Sequence, residues 1–160
     1  IFIHNEPVKR SALIERRLLY IGQISERKGV AQMMDYLTSH AAKHPELQLR
    51  LTVVGEGPLR ELLASLDTPA NFEVEFAGNI PVNQLPEIIR QHGALIFPTL
   101  ADEWGLVINE ALHAGVPVIA SSLAHWSQME PMAGCSIPAN LPSGNEQFKL
   151  ILIQAMRNWR

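Results

Sequence analysis

Cysteine and long apolar segments are both scarce in this sequence, and each scarcity excludes a class of protein. Cys135 is the only cysteine among the 160 residues, so an internal disulfide is excluded and a cysteine-rich zinc site lacks its ligands. No apolar run approaches the roughly 20 residues of a membrane-spanning helix. No segment combines the basic, apolar and cleavage regions of a signal peptide. We therefore expect a soluble domain that resides in the cytoplasm.

Charge is also limited, in both its balance and its amount. The 13 Lys and Arg residues against 16 Asp and Glu residues give a net charge of −3, so the basic excess of a nucleic-acid-binding protein is absent. The charged fraction of 18% lies below the value of about 25% that is usual in soluble domains, and the sequence begins at Ile1 without Met. We expect one domain of a larger protein; a small hydrophobic domain is the alternative.

Short apolar runs and helical patterns alternate along the chain, which is 47% hydrophobic. Apolar runs predict buried strands, and apolar residues spaced three to four apart predict helices. The predicted strands are 18–21, 49–54, 72–76, 94–97, 116–120 and 135–138, and the predicted helices are 30–42, 58–66, 83–91, 106–113 and 147–159. After an entry linker at 1–17, we therefore predict an α/β fold over 18–160: a single Rossmann-like domain with a parallel sheet and helices on both faces.

The loops that follow the predicted strands are candidates for a ligand site, because parallel sheets bind ligands at the carboxyl ends of their strands. Four such loops are candidates, at 22–29, 55–58, 98–105 and 121–125. Glycines let a ligand approach the backbone closely, and a helix N-terminus offers unpaired N–H groups to a phosphate. Lys28 adds a mobile cation. None of the loops is a Walker motif, and the Gly55–Gly57 pair is equally typical of a tight turn.

Acidic residues surround the helix predicted at 106–113. Glu110 lies about one turn into it, between hydrophobic neighbours, and a buried carboxylate must be paired or hydrogen-bonded. It could accept hydrogen bonds from ribose hydroxyls, interact with the helix dipole, or form a structural ion pair. Asp102 and Glu103 precede the helix, where acidic residues are also favoured simply as N-terminal residues.

The segment 102–121 resembles the signature of glycosyltransferase family 4. It has the sequence DEWGLVINEA, followed by AGVPVIAS. The family pattern is an acid, seven residues and then a Glu, with Gly-Leu between them and Gly-x-Pro-Val-Ile-Ala afterwards. Val54–Leu59 (VGEGPL) resembles the second hallmark of this family, and Arg27–Gly29 (RKG) resembles the end of its first loop. The resemblance covers about 18–122.

This resemblance implies a fold and a function. Family 4 enzymes are retaining glycosyltransferases with the GT-B fold, in which two Rossmann-like domains enclose the active site. This chain would be the C-terminal domain, which binds the nucleoside-diphosphate sugar donor, and would be inactive alone. An N-terminal domain outside this chain would bind the sugar, lipid-linked or other acceptor, and would provide any association with the inner membrane face. No nucleic acid, metal or other cofactor is implied.

The resemblance also assigns roles to individual residues. Glu110 would bind the ribose hydroxyls. Asp102 would contact the donor sugar and the reacting centre, with Glu103 as its alternative because the family usually has Glu at the first position. Lys28 would neutralise the leaving diphosphate, and the amides of Gly105 and Leu106 would hold it. The other predicted donor-binding residues are Gly22, Gln23, Gly55 and Trp104.

Gln23 departs from the family pattern, which usually has Gly-Arg in the first loop. Gln donates hydrogen bonds but has no charge, so it stabilises a leaving diphosphate less well than Arg. This departure favours an alternative function, a non-catalytic nucleotide-binding module. A GT-B nucleotide-sugar epimerase is a second alternative.

The histidines are not expected to take part in ligand binding. His4, His40, His44 and His92 are predicted to be solvated on the linker and on helix surfaces, and His113 is predicted to stabilise the end of its helix.

Overall fold

A parallel β-sheet forms the centre of the domain. The computed structural model describes residues 16–100 and 105–120. Within these residues five strands pair in the order β3-β2-β1-β4-β5, all parallel. The strands are β1 (Arg17–Ile21), β2 (Leu49–Val54), β3 (Phe72–Gly78), β4 (Ala94–Phe97) and β5 (Val118–Ala120). The strand order reverses between β1 and β4, so the predicted Rossmann-like sheet is confirmed.

Helices cover both faces of this sheet, as the sequence predicts. They are α1 (Val30–Lys43), α2 (Arg60–Ala64), α3 (Leu85–Arg90) and α4 (Leu106–His113), with short 3-10 turns at Glu26–Lys28 and Val82–Gln84. One buried cluster contains residues of α1 and α2, and a second contains residues of α3 and α4.

The side chains of β1 explain why its sequence is apolar from Leu18 to Ile21. Alternate residues of a strand point to opposite faces. Leu18 and Tyr20 belong to the cluster with α1, whereas Leu19 belongs to the cluster with α4. A strand buried on both faces needs apolar residues at every position.

The second helix is shorter than predicted, and the prediction that Pro58 begins it is wrong. The N–H of Leu59 donates to the carbonyl of Ile24 (3.2 Å), so this segment is held against the loop after β1, and α2 begins only at Arg60. The predicted apolar face is therefore only partly buried: Leu63 is in the core, but Leu62 and Leu66 are 60% and 46% exposed.

The other predicted elements lie close to the observed ones. The fifth strand begins at Val118 instead of residue 116, after Pro117, which lacks an N–H for the sheet. The helix predicted at 83–91 is a 3-10 turn followed by α3. The linker predicted at 1–17 ends too late, because β1 already begins at Arg17. Its residues up to 15, the strand predicted at 135–138 and the helix predicted at 147–159 lie outside the described residues.

His92 is buried, and the prediction that it is solvated is wrong. It follows α3 and is only 6% exposed. Its Nδ1 lies 2.7 Å from the carbonyl of Ile88, which can only accept, so Nδ1 carries the proton. The Nε2 atom, 3.0 Å from Thr52 Oγ1, then accepts from the threonine hydroxyl in the neutral ring. His92 thus joins α3 to β2.

The remaining described histidines differ from one another. His40 is half-buried, with its ring stacked on Tyr36 at a centroid distance of 5.9 Å and with His44 at 4.5 Å. His113 is exposed and its Nδ1 lies 2.8 Å from the Asn109 carbonyl, so its predicted place at the end of α4 is confirmed.

The buried His92 predicts a dependence of stability on pH. Burial lowers its pKa, as does the nearby Arg17, although the hydrogen bond to Ile88 and the charge of Glu75 act in the opposite direction. Because the unfolded chain then binds a proton more readily, His92 supports the fold fully above about pH 6.5, its unfolded pKa. That support is lost as the pH falls from there through the folded pKa.

Urea unfolding of the wild type and His92→Gln between pH 5 and pH 8 measures this effect. The free energy of unfolding is expected to fall less steeply toward pH 5 in the variant. Equal slopes in the two proteins would show that His92 does not contribute to the pH dependence.

Candidate functional site

The loops at the carboxyl ends of the strands are bound to one another through their main chains. Loop 1 (22–29, after β1) and loop 2 (55–59, after β2) are adjacent. The N–H of Gly22 donates to the carbonyl of Val54, and that of Ile24 to the carbonyl of Glu56, each at 3.0 Å. Loop 1 also contacts the segment after β4, because Leu100 N–H donates to the Arg27 carbonyl at 3.0 Å. The three loops therefore form one connected surface.

Glycines are required where these loops meet. A Cβ atom at Gly55 would collide with the Gly22 carbonyl oxygen, and one at Gly57 would collide with the Ile24 main chain. The sequence analysis predicts that such glycines let a ligand approach, or that they form a tight turn. In the structure the space beside Gly55 and Gly57 is filled by loop 1, so packing between loops accounts for both glycines.

An open pocket of about 320 Å³ lies at this edge of the sheet. Its lining comes from the ends of β1 and β2, the loop after β3 and the first residue of α3: Ile21, Gly22, Gln23, Val54, Gly55, Glu56, Asn79, Ile80 and Leu85. The structure thus brings together Gly22, Gln23 and Gly55, three of the predicted donor-binding residues. The combination of apolar walls and exposed polar groups suits a small organic ligand.

Asn79, Ile80 and Leu85 line this pocket although they lie outside the four loops predicted as candidates. The available signal was the position of the loop after β3, since it follows a strand of the same parallel sheet as the other loops. Gly55 N–H donates to the Gly78 carbonyl at 2.8 Å, which joins the end of β3 to loop 2.

Two charged groups of loops 1 and 2, Glu56 and Lys28, differ in their relation to the pocket. Glu56 lines it and forms an ion pair with Arg60, with Nε and Oε2 3.4 Å apart, so its charge is partly compensated. Lys28 is half-buried in the 3-10 turn of loop 1. Burial, and secondarily the charge of Arg27, lower the pKa of Lys28. Lys28 does not line the pocket; it lies on the part of loop 1 that is bound to Leu100.

A glycine stands at the N-terminus of α4. Gly105 is its N-cap residue, and no side chain caps it among the residues described. A Cβ at Gly105 would lie 2.6 Å from Cζ of Phe97, so the helix can approach β4 this closely only with glycine here. Leu106 is 69% exposed. The amides of Gly105 and Leu106, both predicted to hold a diphosphate, are therefore near the surface at the end of β4.

Glu110 is exposed, so the expectation of a buried carboxylate is wrong. In α4 the buried residues are Ile108 and Ala111, whereas Leu106 and Glu110, four residues apart, share the outer face. The hydrophobic neighbours of Glu110 in sequence thus point elsewhere. No ion pair involves Glu110 within the described part of the chain, which leaves its carboxylate accessible to a ligand.

Several predicted features cannot be placed in this way. Asp102, Glu103 and Trp104 lie outside the described residues.

Across 16–100 and 105–120, no group of three or more His, Cys, Asp or Glu side chains could hold a metal ion. In the same part of the chain no helix has both the length and the apolar character to cross a membrane.

Curated proteins similar to this chain are glycosyltransferases. Lipopolysaccharide glucosyltransferase WaaG of Escherichia coli K12 is 28% identical over 144 residues, which are 87% of this chain and 37% of WaaG. An uncharacterised glycosyltransferase of Methanocaldococcus jannaschii, MJ1607, is 24% identical over 111 residues, which are 68% of this chain and 28% of that protein. The chain therefore spans between 28% and 37% of the length of these two relatives.

Solved structures and the family comparison agree with this similarity. The crystal structure of WaaG superimposes with a TM-score of 0.67 at 26% identity, over 90% of this chain and 38% of the WaaG chain. HepE of Anabaena shares the fold with a TM-score of 0.65 at 16% identity, over 89% of this chain and 39% of HepE. Residues 15–158 match the family described as glycosyl transferases group 1. The chain therefore belongs to the group 1 glycosyltransferases and has the Rossmann-like fold of a GT-B domain.

Proposed function

We propose that this chain is the donor-binding domain of a retaining glycosyltransferase of family 4, which transfers a sugar from a nucleoside diphosphate to an acceptor. The observation that carries the proposal is the joint position of the pocket and the N-terminus of α4, both at the carboxyl edge of the sheet. Two relatives in structure support the choice of ligand. HepE has been crystallised with UDP-glucose, and a pneumococcal O-GlcNAc transferase, GtfA, with UDP and GlcNAc.

Each part of the site would hold one part of the donor. The pocket, lined by Gly22 and Gln23 of loop 1 and by Gly55 and Glu56 of loop 2, would take the diphosphate and the sugar attached to it. The amides of Gly105 and Leu106 would bind the diphosphate, and the exposed Glu110 would accept hydrogen bonds from the ribose hydroxyls.

Catalysis would rest on stabilising the diphosphate as it leaves. Lys28 and the N-terminus of α4 would offset the charge that develops on the phosphate oxygens. Asp102, or Glu103 in its place, would contact the donor sugar. No metal ion or other cofactor would be needed, because the charge would be met by Lys28 and by main-chain N–H groups.

The acceptor would be bound by a second domain outside this chain. We base this on the length of the curated relatives, which exceeds the matched region severalfold. In this proposal the 160-residue chain alone does not transfer sugar, the whole protein acts in the cytoplasm, and any contact with the inner membrane face belongs to the second domain.

Titration calorimetry tests the proposal. The protein is titrated with UDP, GDP and ADP, with and without EDTA, and with the corresponding nucleosides. We expect at least one nucleoside diphosphate to bind, with the same affinity in both buffers. Absence of heat for all three diphosphates at millimolar concentration would overturn the proposal, and a requirement for metal would overturn the metal-free site.

The variant Gln23→Arg tests where the diphosphate lies. Gln23 is exposed and lines the pocket, so a guanidinium there could form a charge-assisted bond to a phosphate. We expect about 3- to 10-fold tighter binding of the nucleoside diphosphate at low salt, a smaller gain at high salt, and no gain for the nucleoside.

Gln48→Arg is the matched control for this variant. It adds the same charge at an exposed position just before β2, at the opposite edge of the sheet. An equal gain from Gln48→Arg, or an equal gain for nucleoside and diphosphate, would show that loop 1 does not hold the phosphate.

A non-catalytic nucleotide-binding module is the second candidate function, and the uncharged Gln23 is the observation that favours it. The two functions differ in the fate of the donor. If the full-length protein binds nucleoside-diphosphate sugars but neither transfers nor hydrolyses the sugar, the module is the better description.

A further inference from the structure

The hydroxyl of Tyr20 is an anchored polar group beneath the pocket. Tyr20 lies on β1, is only 2% exposed, and its hydroxyl donates to the main-chain carbonyl of Gln23 at 2.7 Å. Burial raises the pKa of Tyr20 well above its usual value, so the phenol keeps the proton that it donates. The same carbonyl also accepts from Ser25 N–H at 3.1 Å. A buried hydroxyl thus fixes the peptide group that follows a pocket-lining residue.

Gln23 is held from both sides by this arrangement. Before it, Gly22 N–H donates to Val54, and after it, Ile24 N–H donates to Glu56, each at 3.0 Å. The Gln23 carbonyl is occupied by Tyr20, whereas its own N–H forms no hydrogen bond within the described residues. The side chain of Gln23 is exposed at the pocket. The Gln23 carbonyl therefore takes part in hydrogen bonds within the domain, whereas the Gln23 N–H is available to donate to a ligand.

The absence of a side chain at Gly22 leaves space for the Tyr20 ring. A Cβ at Gly22 would lie 2.9 Å from Tyr20 Oη and 3.3 Å from its Cζ. Positions 20 and 22 lie on the same face of the extended chain, because successive side chains alternate between the two faces. The glycine leaves room for the phenol to reach past it to Gln23.

We propose that Tyr20 is a positioning residue for the donor diphosphate: its hydroxyl fixes loop 1 so that the Gln23 main chain presents its N–H to a phosphate oxygen. This inference rests on the proposed function. A loop that is already ordered loses less entropy when the ligand binds, so the hydrogen bond contributes to affinity without contact between Tyr20 and the ligand. Nothing in this role requires Tyr20 to reach the reacting atoms.

The test compares Tyr20→Phe with Tyr36→Phe. Both variants remove one hydroxyl from a buried tyrosine of the same core cluster, but Tyr36 lies on α1 with its ring against His40, away from the pocket. Affinity for UDP, GDP and ADP and for the matching nucleosides is measured by calorimetry, and stability by urea unfolding. We expect Tyr20→Phe to weaken the diphosphate by about 3- to 10-fold and the nucleoside by less than about twofold. Tyr36→Phe is expected to change neither affinity.

A second variant keeps the test decisive if Tyr20→Phe perturbs folding. Gly22→Ala pushes a methyl group against the phenol, and it is expected to weaken the diphosphate more in the wild type than in the Tyr20→Phe background. Equal effects in both backgrounds, or equal losses for nucleoside and diphosphate in Tyr20→Phe, would overturn the positioning role. A wild-type protein that binds no nucleoside diphosphate would instead overturn the proposed function on which it rests.

Discussion

Gly29→Ala is expected to destabilise the protein by about 3 kcal/mol, whereas Gly115→Ala is expected to cost only about 1 kcal/mol. The two glycines have nearly the same positive φ, +67° and +69°, so alanine meets the same backbone strain at both. They differ in their surroundings. A Cβ at Gly29 would collide with the Pro98 carbonyl oxygen, while at Gly115 nothing lies within 4 Å.

Urea unfolding of the two variants measures this difference directly. Since φ is matched, the difference between the two losses reports the contact between loop 1 and the segment after β4. Equal losses of unfolding free energy in the two variants would show that the contact relaxes at little cost. The loops would then be able to move relative to one another. The nucleoside-diphosphate affinity of Gly29→Ala is also expected to fall, because Lys28 precedes this glycine.

Glu110→Gln is expected to weaken nucleoside binding by about 10- to 150-fold, with little change in the free energy of unfolding. A hydrogen bond to a charged group contributes about 1.5–3 kcal/mol. Glu110 is exposed and has no ion-pair partner within the described residues, so the fold itself does not depend on its charge. The variant keeps the shape of the side chain and removes only that charge.

Asp35→Asn is the matched control for this experiment. Asp35 is another exposed helical carboxylate, on α1, and it does not line the pocket. Affinities of the two variants for nucleoside and for its 2′-deoxy analogue are compared with the wild type. The discrimination against the deoxy analogue should disappear only in Glu110→Gln. If Glu110→Gln binds like the wild type but melts much lower, Glu110 is structural.

The centre of the sheet could be predicted from the sequence because β1, β4 and β5 are buried on both faces. Runs such as Leu18–Ile21 and Ala94–Phe97 are apolar at every position, and Gly or Pro follows each of them. The early end of α2 could not be predicted, because it depends on a hydrogen bond from Leu59 to Ile24, which is 35 residues away in sequence. Propensity describes a segment by itself, and tertiary contacts override it.

The candidate site was only partly predictable for a similar reason. Gly22, Gln23 and Gly55 follow strands and do line the pocket, but the role of the loop at Asn79 depends on the pairing of β3 with β2. Hydrophobic neighbours suggested burial for Glu110, although helical periodicity places it opposite Ile108 and Ala111. His92 likewise follows the polar Arg90 and Gln91 in sequence, and its contact with Thr52, 40 residues earlier, could not be predicted from its neighbours.

Main-chain hydrogen bonds hold the loops together, whereas side chains of the same loops line the pocket. The contacts that join loops 1 and 2 use N–H and carbonyl groups, which every residue except proline supplies. The glycines at these contacts are constrained by space, but side chains such as those of Gln23 and Glu56 are not part of the bonding. Pocket side chains such as those of Gln23 and Glu56 can therefore be exchanged while the loop framework persists. A single scaffold of this kind can acquire different ligand preferences through few substitutions, without having to evolve a new fold for each.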